Sequence, residues 1–256
     1  VLSGNVEKIV PLLKKYNLPV LTPTASSAGL TNLSPYIFRN AMTRSIQAKF
    51  LAEYAVNTLS LRRFVIFYPE AKFGQEFKEK FLEEVEALGA EVVTTVSYKR
   101  SQNDFKPQIL KIGGISDNQL KKIIINKRFG NENAITRKNN IPFSKPIIEQ
   151  GLWNEDKIEG LKVSLELSYD AIFIPGFYDK VSLILPQMIF YNIDREMFLG
   201  TSGWNHPDLI KVAGRYINGK GIFIDGFFKD SKRQEIQKFV SKFPFYFDFC
   251  FSEHLS

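Results

Sequence analysis

A repeated alternation of short apolar runs and amphipathic stretches most constrains the fold of this chain. In the clearest unit, residues 63–98, the continuous apolar run 63–68 is typical of a parallel strand covered on both faces. A helical pattern follows over 74–88 and ends at Gly89. Further strands are predicted over 19–21, 36–38, 91–98, 171–174, 197–199 and 221–224, and further helices over 5–16, 43–59, 105–112, 181–190 and 208–213. Repeated strand-then-helix units predict an α/β protein with doubly wound parallel sheets and right-handed crossovers.

Two of these helices show how the core is expected to form. Thr43 precedes the helix over 43–59 and can cap its first turn. Helical spacing predicts that its inward face consists of Ile46, Phe50, Leu51, Tyr54 and Ala55. By the same spacing, the inward face of the helix over 74–88 is predicted to consist of Phe77, Phe81, Leu82 and Val85.

Composition and charge limit the classes of protein that the chain can represent. Its 256 residues, 44% of them hydrophobic and 24% charged, are typical of a globular protein with one large domain or two small lobes. The net charge is +7, and part of the basic excess lies in a segment, 113–162. This basic segment is interpreted as a solvated insertion; the alternative is a surface for an anionic membrane or a polyanion. No nucleic-acid partner is predicted. Cys250 is the single cysteine, which excludes an intrachain disulfide, and no apolar run is long enough to span a bilayer.

Two stretches of small residues, 23–31 and 199–209, indicate a ligand-binding cleft. Each places short hydroxyl side chains and glycines just after a predicted strand. Backbone N–H groups and hydroxyls at such a position can approach a ligand closely, because no bulky side chain intervenes. Since the two stretches lie far apart in the sequence, they predict a cleft between two lobes.

Motifs that would indicate an enzyme are missing or incomplete. The stretch 214–220 approaches a phosphate-binding loop, but Gly221 replaces the required hydroxyl residue, and a helix precedes the stretch where a strand is needed. There is no Gly-x-Ser-x-Gly elbow and no Gly-x-Gly-x-x-Gly turn. The two histidines are His206, interpreted as a packing or rim residue, and His254; they have no cluster of metal-ligating neighbours. The chain is therefore predicted to be a non-enzyme without a metal or cofactor.

The order and spacing of seven stretches are informative together: 18–27, 36–40, 51–55, 73–74, 171–176, 200–209 and 224–228. Taken together, these stretches resemble the type I periplasmic binding proteins, above all the branched-chain amino-acid binding proteins or extracellular ligand-binding receptors. The later part is similar to the subgroup of penicillin-binding protein activators. The resemblance implies two hinge-linked α/β lobes that close on a ligand. It also implies a chain truncated at both ends with an incomplete first lobe, in keeping with a start at Val1 inside a strand-to-helix pattern.

The resemblance further implies a division of the chain and a set of site residues. Residues 1–42 would belong to the first lobe, 43–225 to the second and 226–256 again to the first. The hinge positions would be Ala41, Met42, Thr43 and Gly226. The ligand contacts would be Ser3 and Gly4 in the first loop, Ala25, Ser26 and Ser27 in the second, the aromatic residues Phe73, Phe177 and Tyr178, and Ser202.

Two of these positions depart from the family pattern. Ser202 stands where amino-acid binders place an acidic residue for the ligand's ammonium, and Phe73 stands where tyrosine is common. A hydrogen bond to a charged group contributes about 1.5–3 kcal/mol. The chain is therefore expected to prefer a ligand other than a free α-amino acid, or to hold the ammonium by another route.

The function implied by the resemblance is that of a solute-binding protein of the cell envelope, periplasmic or at the cell surface. Such a protein binds a small amino-acid-like or other polar solute between its lobes and delivers it to the membrane permease of an ABC-type importer. The alternative is a regulator of a cell-wall synthase that acts through its surface, such as the basic segment. The first hypothesis predicts that substitutions in the cleft impair the function. The alternative predicts that such substitutions matter little and that substitutions in the basic segment matter much.

Overall fold

The computed structural model describes residues 3–114, 169–191, 193–194, 196–217, 219–228 and 230–242. Most of the basic segment, Cys250 and His254 lie outside these residues, and so do the predictions made for them. Within the described part, no helix is long and apolar enough to cross a membrane.

The described elements alternate between helix and strand as predicted. In chain order they are α1 (Ser3–Tyr16), β1 (Val20–Thr22), β2 (Ile37–Arg39), α2 (Arg44–Glu53), β3 (Arg63–Pro69), α3 (Lys72–Ala87), β4 (Glu91–Tyr98), α4 (Lys106–Ile112), β5 (Ala171–Phe173), α5 (Tyr178–Phe190), β6 (Met197–Gly200), α6 (Pro207–Ile217), β7 (Gly221–Phe223) and α7 (Gln234–Lys242). A π-helical turn, Tyr54–Thr58, continues α2, and 3-10 turns span Leu30–Leu33 and Ser202–Trp204. Every predicted element is present, whereas α7 had no predicted counterpart.

Two parallel sheets organise these elements. The larger has five strands in the order β4-β3-β5-β6-β7, and the smaller pairs β1 with β2. We call residues 3–40 the N-terminal unit and the described residues of 44–223 the central unit. The predicted α/β class with parallel sheets is confirmed.

The central unit is covered by helices on both faces of its sheet. In β3, Phe64 and Ile66 pack into one hydrophobic cluster with residues of α2 and α3, and Val65 and Phe67 pack into another with residues of α4, α5 and α6. All four side chains are fully buried, because successive residues of a strand point to opposite faces. The continuous apolar run is thus explained as a doubly covered strand, and the doubly wound arrangement is confirmed.

Helix α3 shows the predicted periodicity. Phe77, Phe81 and Val85 are buried at helical spacing, and the ring of Phe81 stacks on Phe173 of β5 with centroids 4.2 Å apart. Gly89 after the helix has a φ of 74°, a left-handed conformation that glycine adopts without steric cost. The helix and its end were therefore both readable from the sequence.

The inward face predicted for α2 is partly wrong. Leu51 and Ala55 are buried, but Ile46, Phe50 and Tyr54 are 42%, 54% and 45% exposed. The residues that pack inward are instead Gln47, Ala48, Leu51, Ala52, Ala55 and Val56. This face is rich in alanine, which lets α2 pack closely against α3 and the sheet, while the larger apolar stripe points outward.

The rejection of a phosphate-binding loop agrees with the observed order. Gly214 lies inside α6, and Lys220 precedes β7, so the stretch connects a helix to a strand. No helix N-terminus follows it to receive a phosphate.

Candidate functional site

A cleft of about 1320 Å³ lies between the N-terminal and central units. Its walls are formed by the loops that follow β1, β2, β4, β5, β6 and β7, together with the N-terminal parts of α1, α2, α3 and α5. The carboxyl ends of parallel strands are where α/β proteins bind ligands, because the connecting loops leave crevices there.

The cleft brings together most of the predicted site residues. The ligand-contact positions that line it are Ser3, Gly4, Ser26, Phe73, Phe177, Tyr178 and Ser202, and the hinge positions that line it are Ala41, Met42 and Gly226. Residues as far apart in the chain as Ser3 and Gly226 thus meet at one place.

Three predicted positions do not line the cleft. Ala25 is fully buried in the core of the N-terminal unit. Ser27 is nearly buried, and its N–H donates to Ser3 Oγ at 3.1 Å. Thr43 caps α2 as predicted, since its side chain accepts a hydrogen bond from the N–H of Ile46 at 3.0 Å. These residues support the cleft wall from behind.

Hydrogen bonds hold the wall formed by the N-terminal unit. Arg39 donates from its guanidinium to the carbonyl of Ser27 at 2.7 Å, which fixes the loop after β1. The N–H of Arg44 donates to the carbonyl of Ser26 at 3.0 Å. This last bond connects the start of α2 to the opposite unit.

An aromatic stack forms part of the wall contributed by the central unit. Phe73 and Phe177 follow the neighbouring strands β3 and β5, and their rings stack with centroids 5.1 Å apart and an interplanar angle of 19°. The guanidinium of Arg44 lies 5.2 Å from the centroid of the Phe73 ring and forms an ion pair with Glu76. Within the described residues, Nε of Arg44 is buried without a hydrogen-bond partner. The stack therefore offers an apolar surface beside a donor group.

Tyr178 forms a second aromatic contact at the edge of the cleft. Its ring is nearly parallel to that of His206, with centroids 3.5 Å apart. Nδ1 of His206 accepts a hydrogen bond from the N–H of Asp208 at 3.2 Å. This geometry confirms the packing role that was predicted for the histidine.

The turn after β6 packs tightly against the loop after β5. A Cβ atom at Gly203 would lie 2.6 Å from the carbonyl oxygen of Gly176, so only glycine allows this approach. The N–H of Ser202 donates to Oε1 of Gln47 at 3.1 Å. Oγ1 of the neighbouring Thr201 is buried and has no partner among the described residues.

Several residues of the cleft were not predicted from the sequence. Those with charged or amide side chains are Arg39, Asn40, Arg44, Gln47, Arg100, Asp179 and Asp225. Arg39 and Arg44 flank the predicted crossing 41–43, a position that could have drawn attention to them. Gln47 gave no such signal, because a glutamine in a helix ordinarily faces solvent. No cluster of metal-ligating side chains occurs in the described part of the chain.

Comparisons with known proteins connect this geometry to a family. Residues 1–114 match the family model described as periplasmic binding protein. A search of functionally curated proteins gave no match.

Solved structures share the fold over nearly all of this chain. Streptococcus pneumoniae LivJ, a branched-chain amino acid transporter substrate binding protein in complex with isoleucine, has 17% identity and a TM-score of 0.64 over 96% of this chain and 56% of its own. The leucine binding protein LivK from Thermotoga maritima has 18% identity and a TM-score of 0.62, and the match covers 94% of this chain and 54% of LivK. A solute binding protein of an ABC transporter from R. palustris, in complex with benzoate, has 15% identity and a TM-score of 0.63 over 96% and 53%.

This chain spans about half the length of these structures. The matches confirm the predicted resemblance to branched-chain amino-acid binding proteins and show that the fold is that of the type I periplasmic binding proteins.

Proposed function

From this fold and the family match over 1–114, we propose that the protein is a non-enzymatic solute-binding protein that closes on a small molecule in the cleft between its two units. The observation that carries the proposal is that both units supply predicted contact residues to one cleft. Ser3 and Ser26 lie on one wall, and Phe73, Phe177 and Ser202 lie on the other.

Closure requires a ligand that touches both walls. A ligand that interacts with only one wall would bind the open and closed states equally and shift nothing between them. The two positions proposed as crossings lie close together, since a Cβ at Gly226 would be 3.8 Å from Cγ of Met42, and this proximity supports a hinge there. Residues 41–43 and Gly226 are therefore proposed as the hinge, and 1–42, 43–225 and 226–256 as the corresponding parts of the two lobes.

The chemistry of the cleft favours a small organic ligand with an apolar body and a charged group. Arg39, Arg44 and Arg100 supply positive charge, and Asp179, Asp225 and Glu76, the ion-pair partner of Arg44, offset it. The Phe73–Phe177 stack provides an apolar surface, and Ser202 provides no carboxylate for an ammonium group. Neighbouring structures hold isoleucine in one case and benzoate or 4-hydroxybenzoate in others. We propose a small carboxylate with an apolar body as the preferred ligand, either without an ammonium group or with that group held by a residue other than Ser202.

The setting of this activity follows from the family. Solute-binding proteins of ABC transporters are the neighbours in structure, so a membrane permease is the proposed partner and the cell envelope the proposed location. Nothing in the described structure favours the regulator of a cell-wall synthase, because most of the basic segment on which that hypothesis depends lies outside the described residues.

A thermal-shift panel tests the proposal on the full chain. The probes are isoleucine, leucine, benzoate and 4-hydroxybenzoate, and a ligand at a hundredfold its Kd adds about 2.7 kcal/mol to the free energy of unfolding. The double variant Ser26→Ala, Ser202→Ala should lose the shift. The matched control, Ser101→Ala with Ser241→Ala, changes two exposed serines outside the cleft and should keep it. A folded protein that no probe stabilises, or a shift that survives in the cleft variant, would contradict the proposal.

A further inference from the structure

We infer that Gln47 is a positioning residue that couples the ligand-binding wall of the central unit to the first crossing between the units. The inference rests on the proposed function in one respect, namely that this cleft is the binding site. Gln47 lies in the first turn of α2 and is only 4% exposed. It is one of the few buried polar side chains of the described residues, and its amide group bonds in two directions.

In one direction, Gln47 holds the turn after β6. Its Oε1 accepts the N–H of Ser202 at 3.1 Å, across 155 residues of sequence. That N–H lies beside the cleft, and it would be left without an acceptor if the side chain were apolar. Loss of the acceptor of this part-buried N–H costs free energy, so the bond fixes the orientation of the turn. It also directs the Ser202 N–H toward Gln47 rather than toward a ligand.

In the other direction, Gln47 reaches the crossing. Its Nε2 donates to the carbonyl of Met42, with a longer distance of 3.4 Å. Two residues further along, the N–H of Arg44 donates to the carbonyl of Ser26 in the N-terminal unit at 3.0 Å. The crossing is thus bonded on one side to the loop after β1 and on the other, through Gln47, to the turn after β6. A shift of either wall is transmitted to the other through this side chain.

A second glutamine provides a matched control. Gln187 in α5 makes the same kind of bridge, since its Oε1 accepts the N–H of Phe105 at 2.8 Å and its Nε2 donates to the carbonyl of Asn103 at 2.9 Å. It does not line the cleft. Replacing Gln47 by methionine removes two hydrogen bonds. Replacing Gln187 removes three, since its Nε2 also donates to the carbonyl of Leu183 at 3.0 Å. Both replacements keep a similar side-chain volume. An effect seen in both Gln47→Met and Gln187→Met reflects the loss of a structural bridge, whereas an effect seen in Gln47→Met alone reflects the loss of a positioning contact.

Amide hydrogen exchange on the full chain without ligand tests the coupling directly. In Gln47→Met, the N–H of Ser202 loses its acceptor and should exchange about tenfold faster. The N–H of Arg44 keeps its acceptor, the carbonyl of Ser26, and should exchange faster as well because the crossing is no longer held through Gln47. In Gln187→Met, both should keep the wild-type rate while the N–H of Phe105 exchanges faster. Faster exchange at Ser202 alone would show a local contact and would overturn the coupling.

A second variant at Gln47 and a measurement of ligand affinity test the same role independently. Gln47→Glu retains an acceptor for Ser202 but loses the donor to Met42, so it should protect the Ser202 N–H and still release that of Arg44. For any probe of the panel that binds, Gln47→Met should weaken the affinity about tenfold, whereas Gln187→Met should leave it within about twofold. Unchanged affinity in Gln47→Met would overturn the positioning role. If no probe binds the wild type, the proposed function fails, and the exchange rates still decide the coupling.

Discussion

The two units that form the cleft are built very differently. The central unit packs helices on both faces of five strands, and its fully buried side chains include Trp204, Phe81 and Phe173. The N-terminal unit has two short strands, and its hydrophobic cluster consists of Val6, Leu13, Ala25, Leu30 and Ile37. Its large apolar side chains that remain exposed include Leu12, Tyr16, Leu21 and Phe38. Buried apolar area is the main source of stability, so the central unit is the firm wall of the cleft.

The difference in packing between the two units predicts which of them moves when the cleft closes. The firm wall carries the aromatic stack and the turn at Ser202, while the lightly packed wall carries Ser3 and Ser26. Segments with few buried contacts open at low free-energy cost. We therefore expect the N-terminal unit to move and the central unit to serve as its fixed reference.

Alkaline pH should have the largest effect, and it should act on the central unit. Burial raises the pKa of Tyr98, Tyr169 and Tyr191 above the ordinary value of 10, and nearby carboxylates raise it further. Because the folded pKa exceeds the unfolded one, this contribution to stability is complete below about pH 10 and is lost as the pH rises beyond it. Far-ultraviolet circular dichroism should therefore be lost above about pH 10, together with the rise in phenolate absorbance that the buried tyrosines contribute. Tyr169→Phe should move the transition to higher pH, and an unmoved transition would contradict this assignment.

Phe81→Ala should cause the next largest loss of stability, again in the central unit. The ring is fully buried, stacks on Phe173 and contacts the edge of Phe64, so its removal leaves a cavity that costs about 3–5 kcal/mol. Urea unfolding measures the loss. Phe239→Ala is the control, since this phenylalanine of α7 is 48% exposed and should cost much less. An equal loss of unfolding free energy in Phe81→Ala and Phe239→Ala would contradict this prediction.

Leu13→Ala should have a smaller and more local effect. Its side chain is buried, but the cluster around it is small and can relax, so a cost of about 2 kcal/mol is expected, at the lower end for such changes. Hydrogen exchange should show faster opening within 3–40 and unchanged protection of β3. Simultaneous loss of protection in both units would mean that they unfold as one.

Phe50→Ser should have the smallest effect, although the sequence pattern places this residue inward. Because the ring is 54% exposed, the expected change in unfolding free energy is within about 0.5 kcal/mol. The neighbouring Leu51→Ala is the matched control: Leu51 is buried, and its loss should cost about 2–5 kcal/mol. A large cost at Phe50 would restore the inward face first predicted for α2.

The sequence was sufficient to predict features that depend only on neighbouring residues. The apolar run of β3, the spacing of Phe77, Phe81 and Val85, the cap at Thr43 and the turn at Gly89 each depend on the conformation of a few consecutive residues. The resemblance to a family added some of the positions that line the cleft, among them Ser26, Phe73 and Ser202. It also included Ala25, Ser27 and Thr43, which lie behind the wall, because a motif records proximity to a site without recording which way a side chain points.

The residues that the sequence left unassigned are those whose roles depend on distant partners. Nothing near Gln47 indicates Ser202, 155 residues away, and nothing near Arg44 indicates that its N–H meets Ser26 while its guanidinium lies over Phe73. The burial of a helix face likewise depends on what packs against it, so the inward face of α2 followed its small residues rather than its large ones. Thus the sequence by itself determined the elements, their order and the fold class, since these arise from local conformation and periodicity. Only the tertiary structure decided which side chains meet in the cleft, since contact and burial are properties of the assembled elements.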